Sequence, residues 1–181
     1  MQSLTFKGGL QFYIFPHFEN SGKVIHGFTT RNGGVSRAPY SSLNTAFHVG
    51  DDEADVRTNR QMACAALGLN PADLVAGRQV HGDRIEVVGL EDRGRGAISD
   101  NSSLPGTDAL VTGITGVPLS SYYADCVPVF LLDPVKGVIA IAHAGWKGTA
   151  LRIAEKTLKK MRDSFGVAPR DCLAGIGPSV G

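Results

Sequence analysis

The spacing of apolar residues changes several times along this chain, and each change predicts an element. Leu10 to Phe15 and Lys23 to Thr29 read as short strands, separated by the turn formers of "ENSG". The next stretch, "TTRNGGVSRAPYSSLNTAFHVGDD", follows neither a period of 2 nor one of 3.6. Loops this long inside a compact domain are usually functional or disordered. Asn32, Gly33 and Gly34 within it tolerate positive φ and offer a tight backbone cradle. Asp55 to Leu67 takes a helical period, with Val56, Met62, Ala63 and Ala66 on one stripe and Gly68 as the stop.

The second half is richer in strands. "DLVAGRQVHGDRIEVVG" predicts two of them around an "HGD" turn, and "RGRGAISDNSSLPG" is a polar, glycine-rich loop. "TDALVT" and "PLSSYYAD" predict further strands. "VPVFLLD" and "GVIAIAH" are almost continuously apolar, so they predict a hairpin across "PVKG" that is buried on both faces. Thr149 to Phe165 predicts a helix, with Leu151, Ala154, Leu158 and Met161 on its apolar stripe and Gly166 at its end. "CLAGIG" begins a last strand. No repeat, charge block or linker interrupts the chain, so residues 1–181 are expected to form a single domain.

Composition narrows the function classes. Lys plus Arg number 18 and Asp plus Glu 17, which leaves no broad basic face for nucleic acid. No apolar run is long enough to span a membrane, and the N-terminal residues lack the basic-then-apolar order of a secretory signal. Three cysteines make no disulfide framework, so a reducing cytoplasm is the expected setting.

Two of the best soft metal ligands then stand out. Cys126 opens one arm of the predicted hairpin and His143 closes the other, 17 residues on. A hairpin returns such a pair to one edge of a sheet. His81, in the "HGD" turn, also falls at a strand end. Three ligands with a fourth position open is the pattern of a catalytic zinc, and two His with one Cys also suits copper. Cysteine is equally among the most buried residue types, and no local CxxC or HxxxH supports a metal, so a core Cys beside an edge His is the competing reading. Cys64 and Cys172 read as core.

Further candidates carry charge. Lys147 follows a strand at the start of a helix, in "HAGWKG", and Arg31 adjoins Gly33 and Gly34; either could hold an anion, and either could be a plain surface cation. Asp125, beside Cys126, could accept a proton or orient a ligand.

The strings "TTRNGGVSRAPYSSLN", "HVGDD", "VRTNR", "QVHGD", "TDALVT", "YYADCVPVFLLDP", "IAIAHAGWKGT" and "GIGPSVG" occur in this order. Together they resemble the laccase-like polyphenol oxidase family, also described as purine nucleoside phosphorylases and as a peptidoglycan editing factor. The resemblance implies an α/β fold with mixed β-sheets in a four-layer α/β/β/α arrangement. It also implies a metal site of His81, Cys126 and His143. Members of the family are credited with phosphorolysis of adenosine, inosine and methylthioadenosine, and with adenosine deamination. They continue past the segment matching "GPSVG", so the C-terminal part of the family fold is expected to be missing here, along with part of the pocket wall.

Three chemistries compete for the same residues. The first is a zinc-dependent purine nucleoside phosphorylase and deaminase, with Arg31 and Lys147 for phosphate, Asp125 as proton shuttle, and nucleoside and phosphate as its only partners. It is expected to act as a monomer or weak homodimer, without nucleic acid or membrane. The usual deaminase signature of H-x-E with P-C-x-x-C is absent. The second is a copper polyphenol oxidase, for which His17, His26 and His48 are too few to build an oxygen-reducing cluster. The third is a cysteine hydrolase acting on a cell-wall precursor, with Cys126 as nucleophile and His143 or His81 as base.

Overall fold

A computed structural model describes residues 2–180. The chain opens with a hairpin that the apolar pattern does not announce. Strands β1 (Ser3–Lys7) and β2 (Leu10–Ile14) pair antiparallel across Gly8 and Gly9. Both glycines have positive φ, 54° and 82°, as a two-residue hairpin turn of the primed type requires. The apolar residues of β1 face outward, Phe6 being 69% exposed, so burial gave no signal there.

The predicted turn around "ENSG" is a short helix, α1 (Pro16–Ser21), with proline in its first turn and Gly22 in the left-handed region at its end. Of the strand predicted over 23–29, only β3 (Phe28–Thr29) joins the sheet, beside β2. The residues before it are held differently: His26 Nε2 accepts the Phe15 N–H at 2.8 Å. Helix α2 (Glu53–Leu67) starts two residues before its expected boundary. Asp52 caps it by accepting the N–H groups of Ala54 and Asp55, and Gly68 ends it at φ 70°.

The two strands flanking "HGD" are β4 (Val75–Ala76) and β5 (Ile85–Val87), and they do not pair with each other. β6 (Ala109–Thr112) runs parallel to β5, and β7 (Leu119–Ser120) runs parallel to β4. The turn therefore carries the chain from one sheet to another. The expected hairpin is present as β8 (Val127–Asp133) and β9 (Val138–Ala144), paired in full register.

The predicted helix over 149–165 is two helices, α3 (Trp146–Ala150) and α4 (Ile153–Phe165). Arg152 sits between them at φ 60°, where the chain re-aims. The re-aimed helix turns Ile153, Thr157 and Met161 fully inward and leaves Leu151 38% exposed. The last strand, β10 (Leu173–Ile176), pairs with β8 alone and forms a sheet edge.

The main sheet has the order β10-β8-β9-β6-β5, with one parallel pair, β6 and β5. One face packs under α4, through Val111, Val129, Ala140, Ile153 and Met161. The other face meets the β4–β7 pair, where Val75 rests on Leu110 and Ile141. Leu74, the residue before Val75, points the opposite way and packs with Cys64 of α2. α2 also covers β2 through Ala63 and Leu67 against Leu10 and Phe12. The depth order is thus helix, sheet, sheet, helix, an α/β fold with mixed sheets. Between the two sheet layers opens a cavity of about 1530 Å³, walled by Phe12, Leu67, Phe130, Ile139 and Ile141.

Candidate metal centre

The three sequence-predicted ligands meet at the rim of that cavity. In the β8–β9 ladder, Pro128 stands opposite His143 and Val127 opposite Ala144. Cys126, one residue further out, is carried past the end of the ladder to Gly145. The fold-back that a 17-residue spacing permits is therefore realised. His81 arrives from the turn after β4 in the left-handed region, at φ 60°. One ligand atom from each of His81, Cys126 and His143 lies within 4.8 Å of the others. The two imidazoles meet edge to face, with centroids 4.7 Å apart. His81 is exposed, Cys126 half-buried and His143 buried. Two imidazole nitrogens and one thiol at this separation fit zinc or copper.

Close packing keeps the cluster tight. A Cβ on Gly145 would lie 3.0 Å from both Cys126 Sγ and His81 Cδ2. Tyr123 donates its O–H to Ala142 O at 3.2 Å and sets its ring 5.5 Å from that of His143. Burial pushes the Tyr123 phenol well above its ordinary range, so it remains a donor. Asp108, at the mouth of β6, faces His143 Nδ1 at 2.9 Å. Burial opposes its ionisation, but the hydrogen bonds from His143 and from the Gly82 and Val80 amides outweigh burial and hold the carboxyl below its ordinary value. Trp146, three residues beyond His143, is 83% exposed.

The other candidates are more scattered. Asp125 is exposed on the cavity wall, and its backbone carbonyl accepts the Val180 N–H at 3.0 Å. Arg31 also borders the cavity, but its Nε and Nη2 both donate to Ser41 O, at 2.9 and 2.8 Å. The Gly33 and Gly34 amides, which the sequence offers as an anion cradle, both donate to Ser42 Oγ at 3.1 Å. Lys147 is exposed on α3, outside the cavity lining. A five-residue helix also supplies little of the dipole an anion would need. Cys64 is buried, as expected, whereas Cys172 is only half-buried against the margin of the main core; burial raises both thiols.

Two organising residues fall within the strings "TDALVT" and "VRTNR" but receive no candidate role from the sequence. Asp108 is one. Asn59, on the buried face of α2, is the other. Its Oδ1 accepts the Val35 N–H at 2.9 Å, and its Nδ2 donates to Ser36 Oγ and Asn44 O at 2.8 Å each. This one amide thereby ties three points of the long loop to α2, beside the bonds of Asp51 to Ser36 and Asn44 and of Arg60 to Thr45 O. A lone Asn between Val56 and Ala63, on the stripe that should be apolar, was the available signal.

The family described as "Multi-copper polyphenol oxidoreductase laccase" matches residues 25–181. The chain belongs to this family. It is 43% identical over 162 residues to purine nucleoside phosphorylase YlmD of Bacillus subtilis (strain 168), a match covering 90% of this chain and 58% of that protein. The crystal structure of YlmD from Geobacillus stearothermophilus superposes with a TM-score of 0.84 at 41% identity, over 86% of this chain and 57% of that one. The hypothetical protein YfiH of Bacillus licheniformis gives the same TM-score at 44% identity, covering 86% and 58%. The chain thus spans less than two thirds of the length of these family members. Among the described residues no helix is long and apolar enough to cross a membrane.

Proposed function

We propose that this chain carries a metal-dependent purine nucleoside phosphorylase activity on adenosine, inosine and methylthioadenosine, with adenosine deamination as a second activity. His81, Cys126 and His143 would hold a zinc ion. The observation that carries this reading is the convergence of their ligand atoms within 4.8 Å of one another beside a cavity large enough for a nucleoside. Zinc bound there would lower the pKa of its water towards about 7.

The remaining work falls to the chain's own groups. The apolar cavity wall holds the nucleoside and excludes bulk water. Asp125, next to Cys126, exchanges protons with the reacting group. Arg31 on the cavity wall and Lys147 on α3 supply positive charge for phosphate. The chain acts as a single domain, monomeric or weakly dimeric, without nucleic acid or membrane. Its three free cysteines suit a reducing cytoplasm.

The copper-oxidase reading draws on the family's description. Among the described residues, however, the triad is the only group of three or more His, Cys, Asp or Glu side chains within ligand reach. His17 and His26 pack on Phe15 and Phe18, and His48 lies in the long loop. A multicopper oxidase needs several more convergent imidazoles, which favours the phosphorylase. Elemental analysis paired with base release from adenosine tests the choice. Zinc in the purified protein and adenine release that requires phosphate are expected. Copper with a Cu–thiolate absorption band, or release that is indifferent to phosphate, would replace this reading.

A further inference from the structure

We infer that Asp108 is a positioning residue whose one carboxylate sets both histidines of the triad, an inference that rests on the metal-centre reading above. The carboxylate is fully buried and receives four N–H groups. Oδ1 accepts the His81 backbone N–H and the His143 Nδ1–H, each at 2.9 Å. Oδ2 accepts the Val80 and Gly82 N–H groups at 3.1 and 2.9 Å.

These contacts do two different things. Three successive amides, 80 to 82, curl around one anion and form a nest. The curl requires left-handed backbone at its centre, and His81 sits there at φ 60°, where a non-glycine residue is uncommon. The carboxylate offsets that strain and fixes where the His81 imidazole is presented. On its other side, the same Oδ1 holds the proton on His143 Nδ1. That leaves the His143 Nε2 lone pair facing the cluster as the ligand. Because a single oxygen serves both histidines, moving it displaces both ligands together.

Replacing the carboxylate by an amide separates this role from simple burial. In Asp108→Asn the amide NH₂ must face the Val80 and Gly82 N–H groups, or else face His81 and His143; either way donor meets donor. The first measurement needs no variant and no metal. Long-range ¹H–¹⁵N NMR of the metal-free wild type, at a pH where imidazole is neutral, should show His143 as a single tautomer protonated on Nδ1. A proton on Nε2 would overturn the inference even if Asp108→Asn fails to fold.

The second measurement is zinc affinity by chelator competition, scaled to the folded fraction. Asp108→Asn should bind zinc about 10- to 100-fold more weakly than wild type, and its His143 should lose the single tautomer. Affinity within about twofold of wild type in a folded variant would also overturn it. If the wild type itself takes up no zinc, the metal-centre reading fails, and the tautomer measurement still decides the role of Asp108.

Discussion

Gly145 shows how finely single atoms are placed at the triad. Its backbone, at φ −66° and ψ 170°, is open to any residue, so glycine is not required there by conformation. What excludes a side chain is the 3.0 Å approach to Cys126 Sγ and His81 Cδ2. A Gly145→Ala variant should therefore fold with an unchanged melting temperature in the metal-free form. Its zinc affinity should fall on the order of tenfold, because two ligands must shift apart. Chelator competition and a thermal melt check this together; a loss of stability without a loss of affinity would contradict it. His81 illustrates the opposite case, a residue at φ 60° where backbone sterics favour glycine, kept under the proposed metal-centre reading for its imidazole.

At the scale of elements, the corner joining β2, α1 and β3 carries a pH dependence. His26 is buried there, with Phe15 stacked on one side and Phe18 edge-on at another. Burial lowers its basicity, against an opposing pull from Glu19; Lys7 and His17 also face it and lower it further. The unfolded chain takes up a proton near pH 6.5 that the folded chain accepts only at lower pH. The contribution of this site to stability is therefore full above about pH 6.5 and is lost as pH falls through the folded-state value. His26→Gln keeps an acceptor for the Phe15 N–H without titrating. Between pH 7 and pH 5 the wild-type melting temperature should fall more than that of His26→Gln. Parallel curves would show that His26 does not couple to folding.

This corner also marks where sequence reading weakens. The long, strongly patterned elements were legible: α2, the β8–β9 hairpin and β10 lie where apolar spacing places them. The short ones were not. β1 turns its apolar residues to solvent, and α1 is six residues set by a proline and a glycine rather than by a stripe. The break at Arg152 has neither glycine nor proline to announce it, since the left-handed residue there is an arginine. The pairing of β4 with β7 and of β5 with β6 is a long-range choice that no local turn encodes.

For the molecule as a whole, the hairpin allowed Cys126 and His143 to meet at one sheet edge, while the residues alone left a core Cys beside an edge His as the competing reading and the family strings supplied the full triad. The inward-facing support was not legible. Asp108 stands in the sequence as an ordinary strand-end acid, and only the folded chain shows three amides and an imidazole closing on it. The Gly33 and Gly34 amides are occupied for a related reason: Ser42 folds back onto them, a contact that no local spacing announces.

The same topology leaves the chain's one tryptophan outside the core. Trp146 is three residues from His143, and three residues span at most roughly 11 Å. An open-shell ion at that range drains an excited indole, whereas a closed-shell ion leaves it bright. Titrating the metal-free protein should therefore dim its fluorescence with cupric ion and spare it with zinc, and fluorescence left undimmed by cupric ion would mean that the ion does not settle at the triad.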